Sequence, residues 1–135
     1  MMQESPVSND LEKLSVLVVE DDSSLRDVYE SVFLIKNIQA NIYESVSDIC
    51  QTAQMHQPSV VILDFAMRTG HGGLLCGQLK SNPLTAHLPV IVISAFDAEQ
   101  VKKYAPDADL ILNKPIDFED LTSSILQLVR QNQLP

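Results

Sequence analysis

The chain has 135 residues, a net charge of −9 and 45% hydrophobic residues, with two cysteines. That length fits one domain burying roughly 68–70% of its unfolded surface, so folding requires neither a disulfide nor a structural metal. The nine basic residues are dispersed, which tells against a nucleic-acid surface, and no stretch approaches the roughly 18 apolar residues of a membrane span.

The opening "MMQESPVSNDLEK" is polar, contains Pro6 and lacks the apolar core of a signal peptide. It reads as a flexible tail, 1–13, on a cytoplasmic protein. "SVLVVE", residues 15–20, is a continuous run of β-formers, as strands covered on both faces read. It ends in three carboxylates, Glu20, Asp21 and Asp22. Leu25, Val28, Tyr29, Val32 and Phe33 then share one helical face, with Asp22 or Ser23 as the cap.

"QANIYE" (39–44) is a weaker strand, and Val46, Ile49, Cys50 and Ala53 repeat the helical spacing. "SVVILD" (59–64) is a second fully apolar strand, ending in Asp64. Over 72–80, Gly72, Gly73 and Gly77 weaken a helix that Leu74, Leu75 and Leu79 would pack. "PVIVIS" (89–94) ends in Ser94, residues 97–105 form a short helix, and "ADLILN" (108–113) runs into Lys114 and Pro115. Phe118, Leu121, Ile125, Leu128 and Val129 mark a last helix, capped by Asp117 and ending near residue 131.

Cys50 and Cys76 sit in apolar-periodic stretches without a CxxC spacing and read as buried thiols. His56, His71 and His87 read as surface residues. The glycines at 70, 72 and 73 suggest a turn, since no GxGxxG or Walker pattern is present.

Five strands alternating with five helices imply an α/β fold, a parallel sheet with helices on both faces, and 2-1-3-4-5 is the common strand order. In such a sheet ligands bind beyond the carboxyl ends of the strands, where strand order reverses. The first and third strands are neighbours there, so the carboxylates of Glu20, Asp21 and Asp22 converge with Asp64. Like charges at 4 Å repel by about 4 kcal/mol per pair in an effective dielectric near 20, and something must offset this. Carboxylates without His or Cys form a hard-oxygen site suited to Mg²⁺ or Mn²⁺. Lys114 and Ser94 complete a set able to pass a phosphoryl group to a carboxylate.

"VLVVEDD", "VVILDFAM", "PVIVISA" and "ADLILNKPI", in this order and spacing, resemble the response-regulator receiver domain of two-component phosphorelays over about residues 14–131. The resemblance implies a flavodoxin-like fold, with Asp64 as phosphoacceptor. It implies Asp21 as a direct metal ligand, Glu20 acting through water, and the Ala66 backbone carbonyl as a further ligand. Asp22 is then an extra carboxylate, free to cap a helix. Ser94 donates to the phosphoryl oxygen, and Lys114 pairs with it through a cis bond to Pro115. The implied donor is a sensor histidine kinase or histidine phosphotransfer protein, and the output is binding of a downstream effector protein. With only 132–135 after the domain, a stand-alone regulator is expected, and homodimerisation through the last helical face stays open.

Three departures from the family stand out. Arg68 replaces the usual proline four residues after the acceptor. Ile111 occupies the switch position normally held by Tyr or Phe, so no ring turns inward there. Ala66 and Phe96, two residues beyond Asp64 and Ser94, cannot orient an attacking water.

Taken singly, each motif has a plainer reading: "EDD" as a solvated loop, Asp64 as a cap, Ser94 as a turn residue, Lys114 as a solvated cation. Their joint placement at four strand ends on one edge favours the site. A pseudo-receiver, binding or dimerising without phosphate, is the alternative. A hydrolase with an aspartyl nucleophile would need a second Asp where Ala66 stands.

Overall fold

The computed structural model describes residues 14–67 and 70–133. The 1–13 tail, Arg68 and the side chain of His71 lie outside the described residues. Five strands form one parallel sheet: β1 Ser15–Val19, β2 Gln39–Tyr43, β3 Val60–Asp64, β4 Val90–Ser94 and β5 Leu110–Asn113. Their order is β2-β1-β3-β4-β5, as expected. Five helices connect them: α1 Ser23–Ile35, α2 Ile49–His56, α3 Gly72–Ser81, α4 Ala98–Tyr104 and α5 Phe118–Gln133.

Strand alternation divides the core in two. Val16, Val18, Val60, Ile62, Ile91 and Ile93 point to one face, where α1 and α5 cover them with Tyr29, Phe33, Leu121, Ile125 and Val129. Leu17, Val19, Val61, Leu63, Val90 and Val92 point to the other, beneath α2, α3 and α4. β3 and β4 are buried along their whole length, which is why their sequences are apolar without alternation.

The helices start where capping dictates. Asp22 Oδ1 accepts from the backbone N–H of Ser24 and Leu25 at 2.9 and 3.4 Å. Asp117 Oδ1 likewise accepts from Glu119 and Asp120.

Several sequence expectations need amendment. α2 begins at Ile49, not near Val46, because Asp48 turns back to accept from the Gln51 N–H at 3.1 Å. Val46 packs on the core from the preceding loop. α5 continues to Gln133, past the expected end. His56 is not a free surface residue: its Nε2 lies 2.6 Å from the Tyr43 hydroxyl, and it is half-buried. Cys76 is fully buried and Cys50 half-buried.

Between β3 and α3 the chain makes a two-residue antiparallel ladder, Ala66–Met67 against Gly70–His71, so the glycine-rich segment is a hairpin leading straight into α3. Gly72 opens that helix against the end of β3. A Cβ there would stand 2.7 Å from the Asp64 carbonyl oxygen, and the Gly72 N–H donates to the Phe65 carbonyl at 2.9 Å. Glycine is needed at this close approach. Gly72→Ala is expected to cost about 1–3 kcal/mol, read as a lower urea midpoint, while Gly77→Ala, whose Cβ meets nothing within 4 Å, raises it.

Candidate phosphoacceptor site

The parallel register between β1 and β3 aligns Val19 with Leu63. The next residue of each strand, Glu20 and Asp64, therefore reaches the carboxyl edge side by side. Both are buried, at 1% and 4% exposure. Asp21 is half-buried and Asp22 exposed. One ligand oxygen from each of Glu20, Asp21 and Asp64 lies within 4.8 Å of the others. The "EDD" run thus separates by role: two carboxylates join Asp64, while the third turns away to cap α1.

Lys114, from the end of β5, lies across β4 with its Nζ 3.0 Å from Asp64 Oδ1 and 3.7 Å from Glu20 Oε1. Its backbone N–H donates to the Ser94 carbonyl at 2.8 Å, and its bond to Pro115 is cis. Ser94 is buried, and its Oγ accepts from the Phe96 N–H at 2.8 Å. That leaves the hydroxyl proton available to donate. Ala66 is exposed and shares a cleft of about 480 Å³ with Asp21, Asp22, Ser23, Arg26 and Glu44. Ile111 is half-buried against the α2–α4 side of the core.

Glu20 carries the electrostatic strain of this arrangement. Its Oε2 accepts from the Asp22 N–H at 3.2 Å, but Oε1 is buried with no hydrogen-bond partner among the described residues. Burial, with repulsion from Asp64, pushes its carboxyl up to about 7, against the pull of the Asp22 N–H and Lys114. Burial alone would lower Lys114; its hydrogen bond to Asp64 and the charges of Asp64 and Glu20 outweigh that and raise it.

A divalent cation fits this donor set. All three side chains are hard oxygen donors, and one buried oxygen lacks a donor.

Sequence reasoning brought Glu20, Asp21, Asp64, Ser94 and Lys114 to one edge, and the structure places them there together. It missed Arg26, whose Nη1 donates to the Glu20 carbonyl at 2.9 Å. The available signal was a cation in the opening of a helix, where the macrodipole disfavours positive charge.

The raised Glu20 carboxyl makes a signed prediction. The folded chain holds that proton to about pH 7 and the unfolded chain only to about 4.5, so the group's contribution is complete below 4.5 and lost as pH rises through 7. In cation-free buffer, wild-type stability should fall relative to Glu20→Gln between pH 5 and 8, by at most about 3 kcal/mol. Parallel urea titrations of the two proteins check this; equal pH slopes would refute it.

Residues 16–126 match the family model of the response regulator receiver domain. The chain is 28% identical over 121 residues to the transcriptional regulatory protein GltR of Pseudomonas aeruginosa, covering 88% of this chain and 50% of that one. It is 31% identical over 118 residues to the DNA-binding transcriptional regulator NtrC of Proteus hauseri, covering 85% and 24%. It thus spans half or less of these two relatives. The signal receiver domain of a DNA-binding response regulator (merR) from Colwellia psychrerythraea superposes with a TM-score of 0.76 at 29% identity, covering 88% of this chain and 100% of that one. The receiver domain of the sensor histidine kinase PA1611 from Pseudomonas aeruginosa, solved with magnesium in its active-site cleft, gives 0.78 at 13% identity, covering 87% and 98%, a likeness of fold alone. With the family model spanning both strand ends that carry the carboxylates and the Lys114 strand as well, the chain belongs to the response-regulator receiver domain family.

Proposed function

We propose that this chain is a phosphorylation-driven signalling switch in which Asp64 accepts a phosphoryl group from the phosphohistidine of a kinase or phosphotransfer protein. The observation that carries the reading is the buried pair Glu20 and Asp64, joined by Asp21 and faced by the Lys114 ammonium, at the carboxyl edge of the sheet. An Asp64 oxygen attacks phosphorus as the phosphorus–nitrogen bond of the donor breaks, and the electron pair leaves with the imidazole. Lys114 turns from the carboxylate to the transferred oxygens, while the Ser94 hydroxyl donates to one of them. Mg²⁺ or Mn²⁺, held by Glu20, Asp21, Asp64 and the Ala66 carbonyl, would supply the charge neutralisation that this transfer needs.

The product bond is expected to last. Ala66 and Phe96 are exposed but carry no base, and the Phe96 ring packs edge-on against Phe65, with ring centroids 6.1 Å apart. General-base assistance is commonly worth about 10²–10⁴-fold, and it is lacking at both positions. With Ile111 half-buried in the core, output through an inward-turning ring at that position is absent. The switch then acts through the loop after β4, where Ser94 and Phe96 are hydrogen-bonded to one another.

Incubation with acetyl phosphate and Mg²⁺ should add one phosphoryl mass, lost in Asp64→Ala. Unlabelled wild-type protein would sink the reading in favour of a phosphate-independent binding module. A phosphoryl half-life of many minutes or longer in purified protein is expected by mass spectrometry, and decay within seconds would refute the argument from Ala66 and Phe96.

A further inference from the structure

We infer that Arg26 is a positioning residue for the cation pocket: its guanidinium ties down the Glu20 carbonyl and so fixes where the Glu20 and Asp21 carboxylates point. This rests on the reading of the site as a cation-dependent phosphoacceptor. Glu20 is the first residue beyond β1, and its N–H still donates to the Tyr43 carbonyl of β2 at 2.9 Å. Its own carbonyl is taken by Arg26 Nη1 at 2.9 Å, six residues along and on the first turns of α1. Oε2 is held by the Asp22 N–H. Three of the four polar groups of Glu20 are thereby fixed, and the fourth, Oε1, which has no hydrogen bond among the described residues, is left in the carboxylate cluster beside Lys114.

The choice of partner is informative. Arg26 lines the same cleft as Asp21, Asp22 and Glu44, yet among the described residues its hydrogen bond goes to a neutral carbonyl and no carboxylate pairs with it. A guanidinium bonded to a carboxylate there would neutralise charge that the cation needs. Bonded to the backbone, it holds the turn without itself pairing with a carboxylate of the cluster. It also joins the start of α1 to the end of β1, since the Arg26 N–H donates to the Asp22 carbonyl at 3.0 Å. Glu20, Asp21 and Asp22 are enclosed in one hydrogen-bonded loop.

Groups that orient metal-ligating side chains typically change metal affinity by about 10–100-fold. Calorimetric titration of MgCl₂ into wild-type, Arg26→Met and Arg26→Lys proteins tests the role. Arg26→Met should weaken Mg²⁺ by about tenfold or more, and Arg26→Lys, which keeps a donor, should recover most of it. Equal affinities in folded Arg26→Met and wild type would overturn the inference while leaving the phosphoacceptor reading intact; a wild type that binds no Mg²⁺ would overturn both. If Arg26→Met does not fold, the wild-type protein still decides. The Arg26 guanidinium protons should exchange slowly in NMR spectra and shift on Mg²⁺ saturation, and a freely exchanging, unmoved signal would refute the tether.

Discussion

Two buried carboxylates side by side, with one ammonium reaching across to them, is the arrangement on which the rest of this molecule turns. Register places Glu20 and Asp64 at adjacent positions on neighbouring parallel strands, and burial denies either of them full hydration. Lys114 offsets part of the repulsion from two strands away, and a hydrogen bond from its backbone to Ser94 holds it there. The offset is incomplete: at 3.7 Å from Lys114, Glu20 Oε1 has no hydrogen bond among the described residues. An interior that leaves a carboxylate oxygen without a donor costs stability unless another group completes the site. The sheet therefore folds around a carboxylate cluster that Lys114 only partly neutralises.

Much of this was legible beforehand because parallel strands buried on both faces leave an unmistakable trace. The runs ending at Glu20, Asp64 and Ser94 had to be central strands, and the rule that ligands gather at their carboxyl ends then located the cluster. What stayed illegible depended on bonds between side chain and backbone, or between side chains, which follow no period. The Asp48 cap that delays α2 and the Tyr43–His56 pair, thirteen residues apart, are of this kind, as is the Arg26 link to Glu20.

The surroundings of the site are aromatic. Phe65, directly after Asp64, packs against Phe96 and Tyr104, with ring centroids 6.1 and 6.2 Å apart. Phe96 and Tyr104 are largely exposed. Asn113 Nδ2, at the end of β5, donates to the Phe96 carbonyl at 2.9 Å. The segment after β4 is thus connected to the acceptor strand through rings and to the lysine strand through an amide, while Ile111 stays with the core.

The bare backbone of Gly72, set against the carbonyl of Asp64, gives the pocket a stiff floor. Because helix and strand already touch there, Asp64 has no room to move toward α3. On the function proposed above, the room for an added phosphoryl group lies overhead, toward the exposed stretch carrying Phe96, and a single hydrogen atom in place of a methyl group sets that direction.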